Sequence, residues 1–314
     1  MQKFYSVRVL VLLMAAVSTA LAGETQAQSV SIPAWIEKGD CASSPKFEPT
    51  LDSKPATVEK LLDPKSDQII LVVFDLTGAL SRIEAAKQAL IDNISKLPPT
   101  TWVGLLQSQD GLHVLADPSP HRRKEIEAIR SLTSSGNPEL LETVRSALSL
   151  ADAMVRKFPV RVSVLYLTDG SIYAYREDYT DPVINPSDPN DLSRRFPEAL
   201  IDEKISKLEG QVGSLQAPLF VVHLNYRGDN LDEAYENGLV TLTRTTGGEA
   251  DMCRSLAEIP QVISTVFARI TSAWRVTLAV PAKTHSHMQI GLNASCGNRN
   301  LQLSWRSRFH LKGE

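Results

Sequence analysis

The chain has 314 residues, 22% of them charged, and its 33 Lys and Arg against 36 Asp and Glu leave a formal net charge of −3. That balance, without a basic stripe interleaved with aromatics, argues against nucleic acid as the main partner. The length suits one sizeable domain with an appendage.

The first 22 residues read as a signal peptide. Lys3 and Arg8 precede an apolar run from Val9 to Leu21, and Ala20-Leu21-Ala22 gives a small-x-small cleavage pattern. The run is shorter than the roughly 20 apolar residues of a spanning helix. No later segment is apolar enough to span, so the mature chain is expected to be exported, periplasmic or secreted, with no membrane span. Three cysteines, Cys41, Cys253 and Cys296, then predict one disulfide and one remaining thiol. All three pairings stay open.

Residues 23–66 are rich in Ser, Pro, Lys and Thr and read as a leader that can add a strand to the end of the chain. Ile69 to Phe74 (IILVVF) follows as a continuous apolar run, the pattern of a strand buried on both faces. Ile83, Ala86, Leu90, Ile91, Ile94 and Leu97 recur at helical spacing. A hairpin is predicted from Trp102 to Leu115 around Gln109-Asp110-Gly111, and a helix from Leu140 to Val155.

Val162 to Leu167 (VSVLYL) and Leu219 to Leu224 (LFVVHL) repeat the apolar-strand pattern, and Leu256 to Ile270 repeats the helical one. Residues 171–198 carry Tyr, Asp, Pro and Asn without period and read as a long surface loop. After Ser272 the period changes to two, through Trp274, Val276, Leu278 and Val280.

The expected fold class is therefore α/β. A mostly parallel central sheet has helices on both faces over residues 67–272, and residues 273–314 form a small antiparallel β appendage of about three strands. In such sheets ligands gather at the carboxyl edge of the strands, and Asp75 and Asp169 each stand just past one.

The ordered set Asp75-Leu76-Thr77-Gly78-Ala79, Ser134-Ser135-Gly136-Asn137, Leu167-Thr168-Asp169-Gly170 and Leu242 to Gly248 (LTRTTGG) resembles the von Willebrand factor type A family. More narrowly, the chain looks like the Acidobacteria-type branch of exported bacterial proteins, over roughly residues 66–311. The resemblance implies a Rossmann-like fold and a metal-ion-dependent adhesion site holding Mg²⁺. Asp75, Thr77 and Asp169 match its ligands, and Asn137 is the nearest polar residue to the second-loop position. Ala79 stands where the pattern has a second Ser and offers no side-chain oxygen, whereas Mg²⁺ wants a full shell of hard oxygen ligands.

The expectation is an exported, non-enzymatic protein-binding or adhesion module with a degenerate metal site and no cofactor. A working Mg²⁺-dependent module is the alternative. The rim is expected to include Tyr173, Tyr175 and Tyr179, because Tyr favours protein contacts. The partner protein and the oligomeric state are left unknown. Val72 to Leu80 (VVFDLTGAL) is also similar to the first motif of haloacid-dehalogenase-like phosphatases, and Gly228 to Asp232 to their acidic motif. That mechanism, however, needs an acid where Thr77 stands.

Overall fold

The computed structural model describes residues 28–39, 41, 44–133, 136–172, 197–226, 228, 230–281 and 286–311. The expected signal peptide and the loop tyrosines Tyr173, Tyr175 and Tyr179 lie outside them. Four strands come first: β1 (Gln28–Lys38), β2 (Lys46–Leu51), β3 (Lys54–Pro55) and β4 (Val58–Leu62). Next are β5 (Gln68–Asp75), α1 (Leu80–Ile94), β6 (Thr101–Ser108), β7 (Leu112–Ser119), α2 (Arg122–Ser131), α3 (Leu140–Lys157) and β8 (Arg161–Thr168). Then α4 (Pro197–Val212), β9 (Leu219–His223), α5 (Asn230–Thr246), β10 (Ala250–Met252) and α6 (Ile259–Thr271) precede β11 (Trp274–Val280), β12 (His287–Cys296), β13 (Arg299–Trp305) and β14 (Arg308–His310).

The strands form two sheets, which corrects the expected fold class. The larger sheet has eight strands in the order β3-β2-β12-β13-β1-β11-β4, with β14 on β12, and every pairing in it is antiparallel. A Rossmann-like fold on one central parallel sheet with a small appendage does not describe this chain, because most of its strands are antiparallel. Half of the large sheet comes from residues 28–62, which β1 joins to the end of the chain through the register Gln28↔Val280 to Ala34↔Trp274. Alternate residues Val30, Ile32 and Ala34 of β1 face Val276, Leu278, Ile290 and Leu292 in a separate apolar core.

The second sheet has the order β10-β9-β8-β5-β6-β7, with β7 antiparallel to β6. Along β5, Ile70, Val72 and Phe74 point toward Ile83 and Leu90 of α1 and Ile263 and Val266 of α6. Leu71 and Val73 point the other way, toward Leu141, Val144 and Leu148 of α3. Period two thus buries both faces of the strand, which is why it reads as an unbroken apolar run.

The chain crosses between the sheets at residues 63–67 and again at 271–273, and Arg161 holds both crossings. Its guanidinium donates to the carbonyls of Pro64 (2.6 Å) and Ser66 (3.0 Å) on one side, and of Thr271 and Ala273 (both 3.0 Å) on the other. Trp35 of β1 adds a second tie, donating its indole N–H to Arg269 O at 2.7 Å and meeting Phe220 edge-on at 6.3 Å.

Among the described residues no helix is long and apolar enough to cross a membrane. Cys41 pairs with Cys296, across 255 residues, and Cys253 is a buried free thiol. The disulfide ties the segment before β2 to the end of β12, so it staples the large sheet.

Candidate functional site at the carboxyl edge

Asp75 ends β5 and Thr168 ends β8, its parallel neighbour, with Asp75 opposite Thr168 in the register and Asp169 the first residue past β8. The Asp75 carboxylate is fully buried. Its Oδ1 accepts the backbone N–H of Glu139 at 2.7 Å, at the entry to α3, and its Oδ2 accepts the Thr168 hydroxyl at 2.7 Å. A negative end placed at a helix N-terminus complements the helix dipole and satisfies an amide that has no partner within the helix.

Asp169 does the equivalent for the opposite face. Its Oδ1 accepts from the Thr77 N–H and its Oδ2 from the Gly78 N–H, both at 2.7 Å, in the turn that leads into α1. Gly78 is required there, because a Cβ on it would stand 2.5 Å from Asp169 Oδ2. Each aspartate thus fixes the entry of one helix, α3 below the sheet and α1 above it.

Burial pushes the Asp75 carboxyl up to about 7. The Glu139 amide and the hydroxyls of Thr168 and Ser108 oppose the shift, and the nearby Asp169 charge adds to it. Asp169 is also raised, first by burial, while the amides of Thr77 and Gly78 and the charge of Arg82 pull it down. Beneath Asp75 runs a hydroxyl chain, Ser108 to Thr143 at 2.7 Å and Thr143 to the Tyr166 phenol at 2.9 Å. Burial drives the Tyr166 phenol far above its ordinary range, so the chain is neutral.

The sequence-derived ligand set is only partly assembled. Asp75, Thr77 and Asp169 meet, but Thr77 reaches Asp169 through its backbone amide. Asn137 is exposed in the loop before α3, and Ala79 brings no oxygen. No group of three or more His, Cys, Asp or Glu side chains able to hold a metal occurs among the described residues. Mg²⁺ needs an octahedron of oxygens; the structure brings the carboxylates of Asp75 and Asp169 to this edge, and neither Ala79 nor the exposed Asn137 completes the set the resemblance implies.

Sequence reasoning missed the second half of the edge. His223, the last residue of β9, places Nε2 2.7 Å from the Gly170 carbonyl, and its Nδ1 lies 3.5 Å from Glu236 Oε1 on α5. Asp232 Oδ1 accepts the Ile172 N–H at 3.1 Å. These buried groups hold the turn that follows Asp169. The signal was present as a histidine at the end of the apolar run LFVVHL.

Exposed apolar side chains crown this edge. Leu80 is 68% exposed after β5, Tyr226 39% after β9 and Leu256 45% after β10. Arg254 lies over the Tyr226 ring at 5.3 Å.

No family model matches the chain. It is 25% identical over 138 residues to the UPF0353 protein of Mycolicibacterium paratuberculosis, covering 41% of this chain and 39% of that one. It is 30% identical over 94 residues to the phosphoenolpyruvate guanylyltransferase of Rhodococcus erythropolis, covering 30% of this chain and 36% of that one. The matched regions thus span well under two thirds of those relatives. The solved structures to which it is similar include a von Willebrand factor type A protein from Catenulispora acidiphila, at 12% identity and a TM-score of 0.44, covering 91% of this chain and 74% of that one. They also include the vWF domain of the type V pili tip protein Mfa5 from Porphyromonas gingivalis, at 12% identity and a TM-score of 0.42, covering 65% and 95%. A third is proximal thread matrix protein 1 from the mussel byssus with a zinc-occupied MIDAS motif, at 12% identity and a TM-score of 0.44, covering 72% and 50%.

Proposed function

We propose that the chain is an exported, non-catalytic binding module that docks a protein partner on the carboxyl edge of its six-stranded sheet, without a metal ion. The observation that carries this reading is the crown of Leu80, Tyr226 and Leu256, with the turn before Leu80 fixed by the buried Asp169 and Tyr226 tied by its amide to Cys253 O. Exposed apolar side chains on pre-organised backbone suit association, because little conformational entropy is lost on docking. Tyr and a neighbouring Arg are also the residue types that dominate interface energetics. A fixed aspartate pair supports the same reading, since Asp75 and Asp169 hold loops in place and present no open coordination position.

Site-specific photo-crosslinking tests it. A crosslinker at Leu80 or Asn137, on the edge, is expected to trap one and the same polypeptide in the exporting cell. A crosslinker at Lys157, at the far end of α3, is expected to trap none. Equal trapping from both ends, or trapping that survives Leu80→Ser with Tyr226→Ser, counts against the edge as the docking surface.

A further inference from the structure

At the opposite, amino edge of the same sheet, α4 and α5 end beside the turn between β13 and β14, and a cleft of about 490 Å³ opens between them. It is lined by Glu209 and Gly213 from α4 and the turn after it, by Thr241, Arg244 and Thr245 of α5, and by Trp305 to Arg308 and His310. We propose that this cleft binds a tetrahedral oxyanion, a phosphate or sulfate group, held by Arg244, Arg308 and Ser307 over the buried guanidinium of Arg306.

Three arginines and one histidine line the cleft against a single carboxylate, Glu209, whose Oε1 already accepts the Thr245 hydroxyl at 3.1 Å. Arg306 is almost fully buried, and its guanidinium donates to the carbonyls of Gly213, Leu215 and Arg308, all uncharged acceptors. It makes no direct ion pair among the described residues; the nearest opposing charge is Asp152, which Arg156 already holds at 2.7 Å. A buried cation whose nearest carboxylate is shared with another arginine is costly, and an anion nearby relieves that cost.

Arg306 has a structural role as well, since it satisfies the carbonyls where α4 ends. That role leaves Arg244 and Arg308 unexplained. Both are exposed, and their side chains have neither a hydrogen bond nor an ion pair among the described residues. They come from different elements, α5 and β14, and Ser307 adds an exposed hydroxyl between β13 and β14. Donors approaching from several directions suit the four oxygens of a tetrahedral ion better than the plane of a carboxylate. Burial holds the His310 imidazole below its ordinary value, and the charges of His287 and Arg306 lower it further against the pull of Glu209.

The test is NMR titration of the full mature chain, following the His310 ring, with inorganic phosphate in one arm and a sulfated hexasaccharide in the other. Saturable shifts, a raised His310 pKa and binding weakened on the order of tenfold by each of Arg244→Gln and Arg308→Gln are expected. Both variants change exposed side chains, so loss of binding will not reflect loss of fold. Tighter binding of the hexasaccharide would assign the oxyanion to a polymer, and tighter binding of phosphate to a free ion. Shifts that do not saturate, or that persist unchanged in the double variant, would overturn the proposal.

Discussion

Thr168 donates its hydroxyl to Asp75 Oδ2 at 2.7 Å, and the two residues face each other at the ends of β8 and β5. The contact lies in a fully buried pocket, where desolvation outweighs the hydrogen bonds and lifts the Asp75 carboxyl to about 7. The native state therefore holds this proton more tightly than the unfolded chain, whose carboxyl titrates near 3.8. Stability from this group is full below the unfolded value and falls as pH rises toward about 7, by up to roughly 4 kcal/mol. Asp169, also raised, contributes with the same sign.

In Asp75→Asn the amide oxygen can still accept from Glu139 and the amide nitrogen can donate to Thr168. The variant is expected to melt higher than the parent at about pH 8 and to lose much of the pH slope between about 4 and 7. Thermal melts across that range check it, and an Asp75→Asn variant less stable at pH 8 would contradict the assignment.

Asp169→Ala removes the acceptor of two amides. Thr77 is half-buried and Gly78 exposed, so water replaces part of the loss, and a cost of about 1–2 kcal/mol is expected. Hydrogen exchange at Thr77 and Gly78 should accelerate while β5 stays protected. Gly78→Ala should have the same local effect, because its Cβ meets Asp169 Oδ2.

How far the sequence reached depends on where each partner lies. The strands β5, β8 and β9 were legible as apolar runs because both of their faces are covered. Strand β1 was legible only as a strand the leader could add, without its position, because Pro33 interrupts the alternation of Val30, Ile32 and Ala34 and its partner β11 is some 250 residues away. Without that pairing the first strands read as a leader and the last ones as an appendage, and the eight-stranded sheet stayed hidden. The same holds at the site. Asp75 and Asp169 stood out at strand ends, but the amide of Glu139 is 64 residues from Asp75 and the hydroxyl of Thr168 is 93. Which atoms fill a carboxylate's hydrogen bonds is set by tertiary approach, and residue type alone does not reveal it.

The disulfide between Cys41 and Cys296 closes nearly the whole chain into a loop of 255 residues. Cys41→Ser or Cys296→Ser is expected to lower stability by about 3–5 kcal/mol through the freed unfolded state, read as a lower urea midpoint. Cys253 is buried, and burial pushes its thiol up to about 12. A thiol reagent at about pH 8 is therefore expected to find no reactive group in the native protein and one after unfolding without reductant.

The carboxyl edge is proposed to dock its partner without a metal. Isothermal titration of Mg²⁺ and Mn²⁺ into the mature chain, beside the Asp75→Ala, Asp169→Ala double variant, tests it most directly. No saturable heat is expected in either protein at millimolar metal. Saturable binding by the parent that the double variant loses would contradict it and restore Asp75 and Asp169 as ligands.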